Sequence, residues 1–482
     1  MASTSENYER LNKALGDRSK MIFSSDVVTT IDFNTTLPFV REYQEKIEEA
    51  ALLYEPEYQE GYHGPLETHL SSIIGDLKEP IDREDVSSGI DPVRYAFLTL
   101  LVNAALQRSV AGLKKPLSIL QEILTDQFNS YLLARARLNI KSPLTHHLPP
   151  LIGFTGLLPD RVSKLPPLPT TLEMSFLRQY LKRSVANHFK AGAIGMPAGH
   201  KQLPILWGLV GHEGGGHYVL TADDKVIPEL HKCCYEMMLR TFQGETGHAL
   251  AALWRYWTEE AASDVCGVLH LGPSAGIGAL SWYTALFPLA WKGKFDDRLT
   301  GAYSPNNWHP VSIVIPDLLR GAIEQLSGLA PSRRSRYEEQ MLEIAEAHSE
   351  KISEVRFGNK AYVPDPAAPE DSSKFTRLPD QLPLEIMRES ARTIGRLIAT
   401  VRLASLEQNT LQDIASWTNN HEEASLTIAD RMTEPKTLLE ARIDGRRPTA
   451  VELISGGVLA VVRKPDRFDE VNRLLLEAFN DY

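Results

Sequence analysis

His212-Glu213-Gly214-Gly215-Gly216-His217 lies near the middle of this 482-residue chain, and the reading of these six residues decides the rest. Two imidazoles with a carboxylate directly after the first form a metal-and-base arrangement. The imidazoles hold a Lewis-acidic metal, and the carboxylate takes a proton from the metal-bound water. The run before it, Leu203-Pro204-Ile205-Leu206-Trp207-Gly208-Leu209-Val210, is mostly apolar and is expected to bury the helix that carries His212. Such histidines are usually four positions apart, and here they are five apart. At about 100° per residue, positions five apart face directions about 140° from each other around an α-helix, too far to share one ion. A one-residue bulge of the π type restores the alignment. Three glycines put no Cβ in its way. The competing reading makes Gly214, Gly215 and Gly216 a loop between unrelated histidines.

A catalytic zinc takes three protein ligands and keeps one position open, so a third ligand is expected nearby. Trp257-Thr258-Glu259-Glu260-Ala261-Ala262-Ser263-Asp264-Val265-Cys266-Gly267-Val268-Leu269 supplies it. Glu260 and Asp264 are four apart, on one face of a helix. Glu260 can reach the metal while Asp264 accepts the N–H of a ligating imidazole, which fixes the tautomer and orientation of that ring.

This segment resembles the second signature of the thermolysin-like gluzincin metallopeptidases. There a glutamate ligand is followed by two small or apolar residues, then Ser, Asp and an apolar run with Gly. Glu260-Ala261-Ala262-Ser263-Asp264-Val265-Cys266-Gly267 follows that pattern closely. The histidine spacing departs from the thermolysin-like form and is similar to that of the dipeptidyl peptidase III family, which also has a paired glutamate like Glu259-Glu260. The resemblance runs from His212 to Leu269 and does not extend into the flanks. It implies a zincin-like catalytic core with Zn2+ on His212, His217 and Glu260, and Glu213 as general base. It does not imply a substrate.

Hydrolysis also needs a donor for the developing oxyanion. His309, in Tyr303-Ser304-Pro305-Asn306-Asn307-Trp308-His309-Pro310, sits in a loop just before an expected helix and is the first candidate. Tyr303 and Arg320 stand in reserve, and His270 is a reserve ligand. Ala191 to Met196 reads as an extended edge to which a peptide substrate could add. The expected activity is that of a zinc hydrolase, a metallopeptidase or an enzyme for small amides or esters. A helical scaffold that keeps the metal as a structural element is the non-enzymatic alternative.

Composition limits the class. A hydrophobic fraction of 43% with 23% charged residues is that of a soluble globular protein. A formal charge of -11, from 51 basic and 62 acidic residues, argues against nucleic acid as a partner. The three cysteines, Cys233, Cys234 and Cys266, are too few for a disulfide framework and fit a reducing, cytoplasmic setting. Val265 to Trp291 carries no Asp, Glu, Lys or Arg and is long enough to span a bilayer. Gly272, Pro273, Gly276, Gly278 and Pro288 would break such a helix, so buried core is expected instead.

Helical patterns dominate, at 37–54, 92–109, 116–138, 171–190, 226–242, 248–270, 310–329, 332–355 and 384–406. Short extended runs are expected at 27–31 and 191–197, with a strand over 454–462. Proline-rich connectors at 141–171 and 358–383 suggest helical regions at 1–165 and 331–482 around a catalytic domain at 166–330. The expected fold class is mainly α with a small β edge. Oligomeric state is not legible. Of the remaining features, the glycine loop at 272–278 reads as a turn with close packing, and Cys233-Cys234 as core. His146-His147 reads as connector and His421-Glu422-Glu423 as a solvated helix face. Nothing singles out His231 or His248.

Overall fold

The computed structural model describes residues 3–17, 55–68, 100, 104–105, 107–109, 112–155, 170–172, 190–285, 298–299, 309–349, 352–357, 362–365, 374–415, 417–433 and 446–480. The fold is mainly α with a small β component. Helices α1 (Thr4–Asp17) and α2 (Lys114–Arg137) precede a small sheet of β1 (Leu151–Thr155), β2 (Thr170–Leu172) and β3 (Ala193–Pro197). Two 3-10 segments, Ala198–Gln202 and Pro204–Leu209, lead from β3 into a π-helix, Gly211–Tyr218. Next come α3 (Val226–Thr241), α4 (Gly244–Leu271) and α5 (Pro273–Ala285). After β4 (Arg298–Leu299) follow α6 (Ile315–Ile323) and α7 (Pro331–Ser349). Four short strands follow: β5 (Glu354–Phe357), β6 (Tyr362–Pro364), β7 (Phe375–Arg377) and β8 (Gln381–Pro383). The chain closes with α8 (Leu384–Thr400), α9 (Asn419–Thr433), α10 (Ala450–Arg463) and α11 (Phe468–Asn480).

Helix α4 is the axis of the molecule. From Ala249 to Leu271 it is buried on most sides, with α3, the π-helix, α5, α6 and α8 packed along it. A helix that is apolar nearly all round belongs in the interior. Trp254 and Trp257 are fully buried, their rings edge to face at 5.3 Å, and Trp254 Nε1 donates to Ser390 Oγ of α8 at 2.8 Å. Fully burying a large apolar side chain contributes about 1.5–3 kcal/mol, and α4 does so many times over. The helix stops at Gly272, whose φ of +81° favours glycine, and whose N–H donates to Val268 O at 2.9 Å. A Cβ there would also stand 2.3 Å from the Trp417 ring. Gly272 is thus a turn with close packing, whereas residues 273–278 of the expected loop instead form the first turns of α5.

The neutral stretch after Val265 forms the end of α4 and then α5, which runs to Ala285, and it is largely buried up to Ser281; its remainder lies outside the described residues. Among the described residues no helix is long and apolar enough to cross a membrane. Buried apolar side chains from Tyr8 to Phe479 form one cluster that crosses the positions of both expected domain boundaries.

Four expectations need correction. Residues 191–197 are extended, but β3 is the central strand of its sheet, parallel to β1 on one side and antiparallel to β2 on the other. Ala193–Gly195 are paired on both sides, so this stretch is not a free edge for a peptide. Thr170–Leu172 is a strand where the expected helix over 171–190 would begin. The connector at 358–383 carries three short strands, and Val355 belongs to β5 rather than to the preceding helix. Residues 454–462 lie in α10, which opens with a capping box in which Thr449 and Glu452 satisfy each other's backbone N–H groups. A short run that is apolar apart from Ser455 has no period to separate a buried helix from a buried strand. The expected elements at 27–31 and 37–54, and most of those at 92–109 and 171–190, lie outside the described residues, as does Tyr303.

Candidate metal centre

The unusual histidine spacing is met by an unusual helix. Residues Gly211–Tyr218 form two turns of π-helix, with His212 near the start and His217 near the end. A π-helix hydrogen-bonds i to i+5, so residues five apart return to nearly the same side. The glycines are not there for backbone freedom, since none in this helix has positive φ. Close approach requires them. A Cβ on Gly216 would stand 2.5 Å from Ser263 Cα of α4, and one on Gly214 2.2 Å from Leu124 Cδ2 of α2. On Gly211 it would stand 2.5 Å from Leu271 Cδ1. The bare backbone thus wedges between α2 and α4. Tyr218 ties its far end to the sheet, accepting from Gly192 N at 3.1 Å and donating to Leu148 O at 2.8 Å.

This wedge carries the two imidazoles against the acidic face of α4. His212 Nε2 and His217 Nε2 are 3.2 Å apart. Glu260 Oε2 lies 3.3 Å from the first and 3.2 Å from the second. Three donor atoms at these separations form a nearly equilateral triangle. A tetrahedral zinc with ligands at about 2.0–2.1 Å would have ligand atoms about 3.3 Å apart, so the triangle fits one face of such a site. The other nitrogen of each ring is held by a carboxylate. His212 Nδ1 donates to Asp264 Oδ1 at 2.8 Å, and His217 Nδ1 to Glu259 Oε1 at 3.1 Å. With Nδ1 carrying the hydrogen, the Nε2 lone pair faces the shared position, as a metal-binding imidazole requires.

The charges point the same way. Burial opposes a charged His212, but its bonds to Asp264 and Glu260 outweigh burial and raise it to about 10. His217 is also buried, and the charge of Glu260 together with bonds to Glu259 and Glu260 lifts it well above its usual value. Burial pushes Glu260 up, but His309, His217 and His212 hold it well below the usual carboxylate range. Three carboxylates facing two imidazoles favour any bound positive charge, and a divalent cation competes with protons for the same nitrogens.

His309 joins this group more intimately than its expected role suggests. Its Nε2 is 2.9 Å from Glu260 Oε2, and its ring stacks on His212 with centroids 5.5 Å apart. His212, Glu260 and His309 each offer a donor atom within 4.8 Å of the other two. One carboxylate oxygen therefore serves three imidazoles. His309 lies just before the 3-10 turn Ser312–Val314 that leads into α6, the loop position expected for it.

Glu213 is buried, 5% exposed, one position after His212. The other candidates stay apart from the cluster. The His270 ring packs against Gly215, 3.1 Å from where a Cβ would stand, and burial lowers its pKa to about 4. Arg320 faces Asp317 and Glu324 at 4.0 Å. His146 stacks on Tyr218 with centroids 4.3 Å apart, and Cys234 is buried in the core. Glu422 corrects an expectation: it is 1% exposed and accepts from the Tyr337 hydroxyl at 2.8 Å, so α9 does not present it to solvent. Glu259 is the contact that spacing alone missed. It follows no helical rule with Asp264, and only the position of His217 selects it.

Comparison with protein-family models, with curated proteins and with solved structures gives no match for this chain.

Proposed function

We propose that this protein is a zinc-dependent hydrolase, and most simply a peptidase. The observation that carries this reading is the triangle of His212 Nε2, His217 Nε2 and Glu260 Oε2, with both imidazoles anchored from behind by Asp264 and Glu259. When bound, zinc supplies a Lewis acid and makes water a nucleophile near neutral pH. His212, His217 and Glu260 hold the ion, while Asp264 and Glu259 keep each Nε2 turned towards it. Glu213 accepts the proton of the attacking water and passes it to the leaving amine. His309, about one-third exposed, donates to the oxygen that gains negative charge. Peptides, small amides and small esters share this chemistry, and parallel turnover of mixed peptides and small amides separates the substrate classes. Three free cysteines support a reducing, cytoplasmic setting, and the acidic charge speaks against nucleic acid as a partner.

The direct test is Glu213→Gln. It should abolish turnover and leave the zinc content unchanged; retained activity would remove Glu213 from the mechanism. One observation favours a second reading, in which the ion is structural. The 2.9 Å contact of His309 with Glu260 makes it a possible fourth donor, and four protein ligands would leave no open position.

A further inference from the structure

Just past the π-helix, the hydroxyl of Thr221 donates back to His217 O at 2.6 Å. That donation uses the one hydrogen the hydroxyl has. Its oxygen therefore accepts from His146 Nε2, 3.3 Å away, which puts a hydrogen of that imidazole on Nε2. The His146 ring is fully buried and lies flat on Tyr218, the two planes 16° apart. His146 thus grips the end of the π-helix twice, by its face and by its N–H. Its neighbours in the chain grip the same end. Thr145 N donates to Ala222 O at 2.8 Å, and Thr145 Oγ1 donates to Thr221 O at 2.6 Å. The buried carboxylate of Asp223 accepts from Ser142 Oγ and pairs with Arg135 at 3.4 Å. Residues 142–148 form a strap across the exit of the π-helix, where the sequence alone reads as connector.

A π-helix needs such a strap. This helix type is rare beyond a single turn, and glycines are poor helix formers. Close approach to α2 and α4 sets how near the bare backbone lies to its neighbours, while the strap sets where its last turn ends. A slip of that turn by one residue would swing His217 about 100° around the helix axis, away from His212 and Glu260. We propose that His146 and Thr221 are positioning residues, which together hold the last turn of the π-helix and with it the direction of the His217 ring. The consequence at the ion rests on the zinc reading; the grip on the helix does not.

Thr221→Val keeps the shape and removes the hydroxyl, and Thr221→Ser keeps the hydroxyl. His146→Phe keeps a stacked ring and loses the N–H. Deuterium exchange of the full metal-free chain, read by mass spectrometry on the peptide covering 211–220, should quicken about tenfold in Thr221→Val and His146→Phe. It should stay near the wild-type rate in Thr221→Ser. Cobalt(II), loaded in place of zinc, reports its ligand geometry through its visible absorption. That band should move in Thr221→Val and His146→Phe and return in Thr221→Ser, with zinc affinity about tenfold weaker in the first two. Leu475→Ala opens a cavity between α10 and α11 and controls for lost stability: it should lower the urea midpoint and leave the cobalt band in place. Either of the two disabling variants decides if the other fails to fold. Unchanged exchange in the folded variants, equally fast exchange in Thr221→Ser, or a cobalt band that stays put or moves as much in Leu475→Ala would each overturn the proposal. Faster exchange in a protein whose wild type takes up neither metal would sustain the grip on the helix and sink the zinc reading instead.

Discussion

His212 Nε2 and His217 Nε2 lie 3.2 Å apart, although an α-helix would turn residues of this spacing away from each other. The π-helix that brings them together is held by contacts of its bare backbone with α2 and α4, and Gly216 is the tightest test of that. A methyl group there meets the Ser263 backbone at 2.5 Å, which cannot rotate aside as a side-chain end could. Gly216→Ala should therefore cost about 1–3 kcal/mol in urea unfolding, the usual range for overpacking. It should also weaken zinc binding, because His217 is the next residue. An unchanged stability would mean that the wedge is looser than these distances imply.

Asp264 and Glu259 hold the Nδ1 sides of His212 and His217, so on the proposed reading they would act through these imidazoles rather than on the ion. Asp264→Asn and Glu259→Gln preserve size and remove the charge that fixes each Nδ1–H. Zinc affinity measured against a competing chelator should fall about 10–100-fold in each, the usual effect of losing such a partner. Wild-type affinity in both variants would show that the two carboxylates do not orient the rings.

His309 separates the catalytic reading from the structural one. As an oxyanion donor, its loss in His309→Ala should lower kcat by about 100-fold or more and leave the zinc content intact. As a fourth ligand, its loss should lower zinc affinity itself. Measuring both quantities on the same preparation decides between them.

Acid should destabilise the folded chain before its carboxylates titrate. Burial lowers His63 and His270 to about 4 and His200 to about 3, with Arg108 adding to the effect at His63. In the unfolded chain these rings return to about 6.5. As pH falls below that value the unfolded state takes up protons that the folded state refuses. The stability these neutral histidines contribute is thus complete above about 6.5 and is lost as pH falls towards their folded values. Each adds up to about 1.4 kcal/mol per pH unit within that window. Urea unfolding of zinc-loaded protein across the window should show the slope, and His200→Gln should reduce it by one histidine's share. A flat profile would contradict the burial of these rings.

Much of the centre is legible in the chain because it rests on local rules. The five-residue spacing calls for a π-type distortion, and the four-residue spacing of Glu260 and Asp264 puts them on one face of α4. What the sequence hides is set by neighbours distant along the chain. Glu259 stands beside Glu260, and nothing local says that His217 will take it as a partner. His309 reaches Glu260 from another loop, at a distance that helical periodicity cannot report. The extended run at β3 is visible as such, but its two flanking strands come from elsewhere, so its central place is not. In α10, Gly456 and Gly457 meet Ile428 of α9 and Leu475 of α11, and the run from Ile454 to Val462 is buried on every side, with Ser455 Oγ donating to Leu271 O at 2.8 Å. The triple glycine was legible as permissive; that it is required by close packing emerges only with α2 and α4 in place.

The central claim is that His212, His217 and Glu260 hold one metal ion. Elemental mass spectrometry on the purified full chain tests it most directly, with His212→Ala and Glu260→Ala prepared in parallel. The account predicts about one equivalent of zinc in the wild-type protein, and little or none in either folded variant. A wild-type chain that takes up no zinc when it is supplied, or variants that retain a full equivalent, would contradict it.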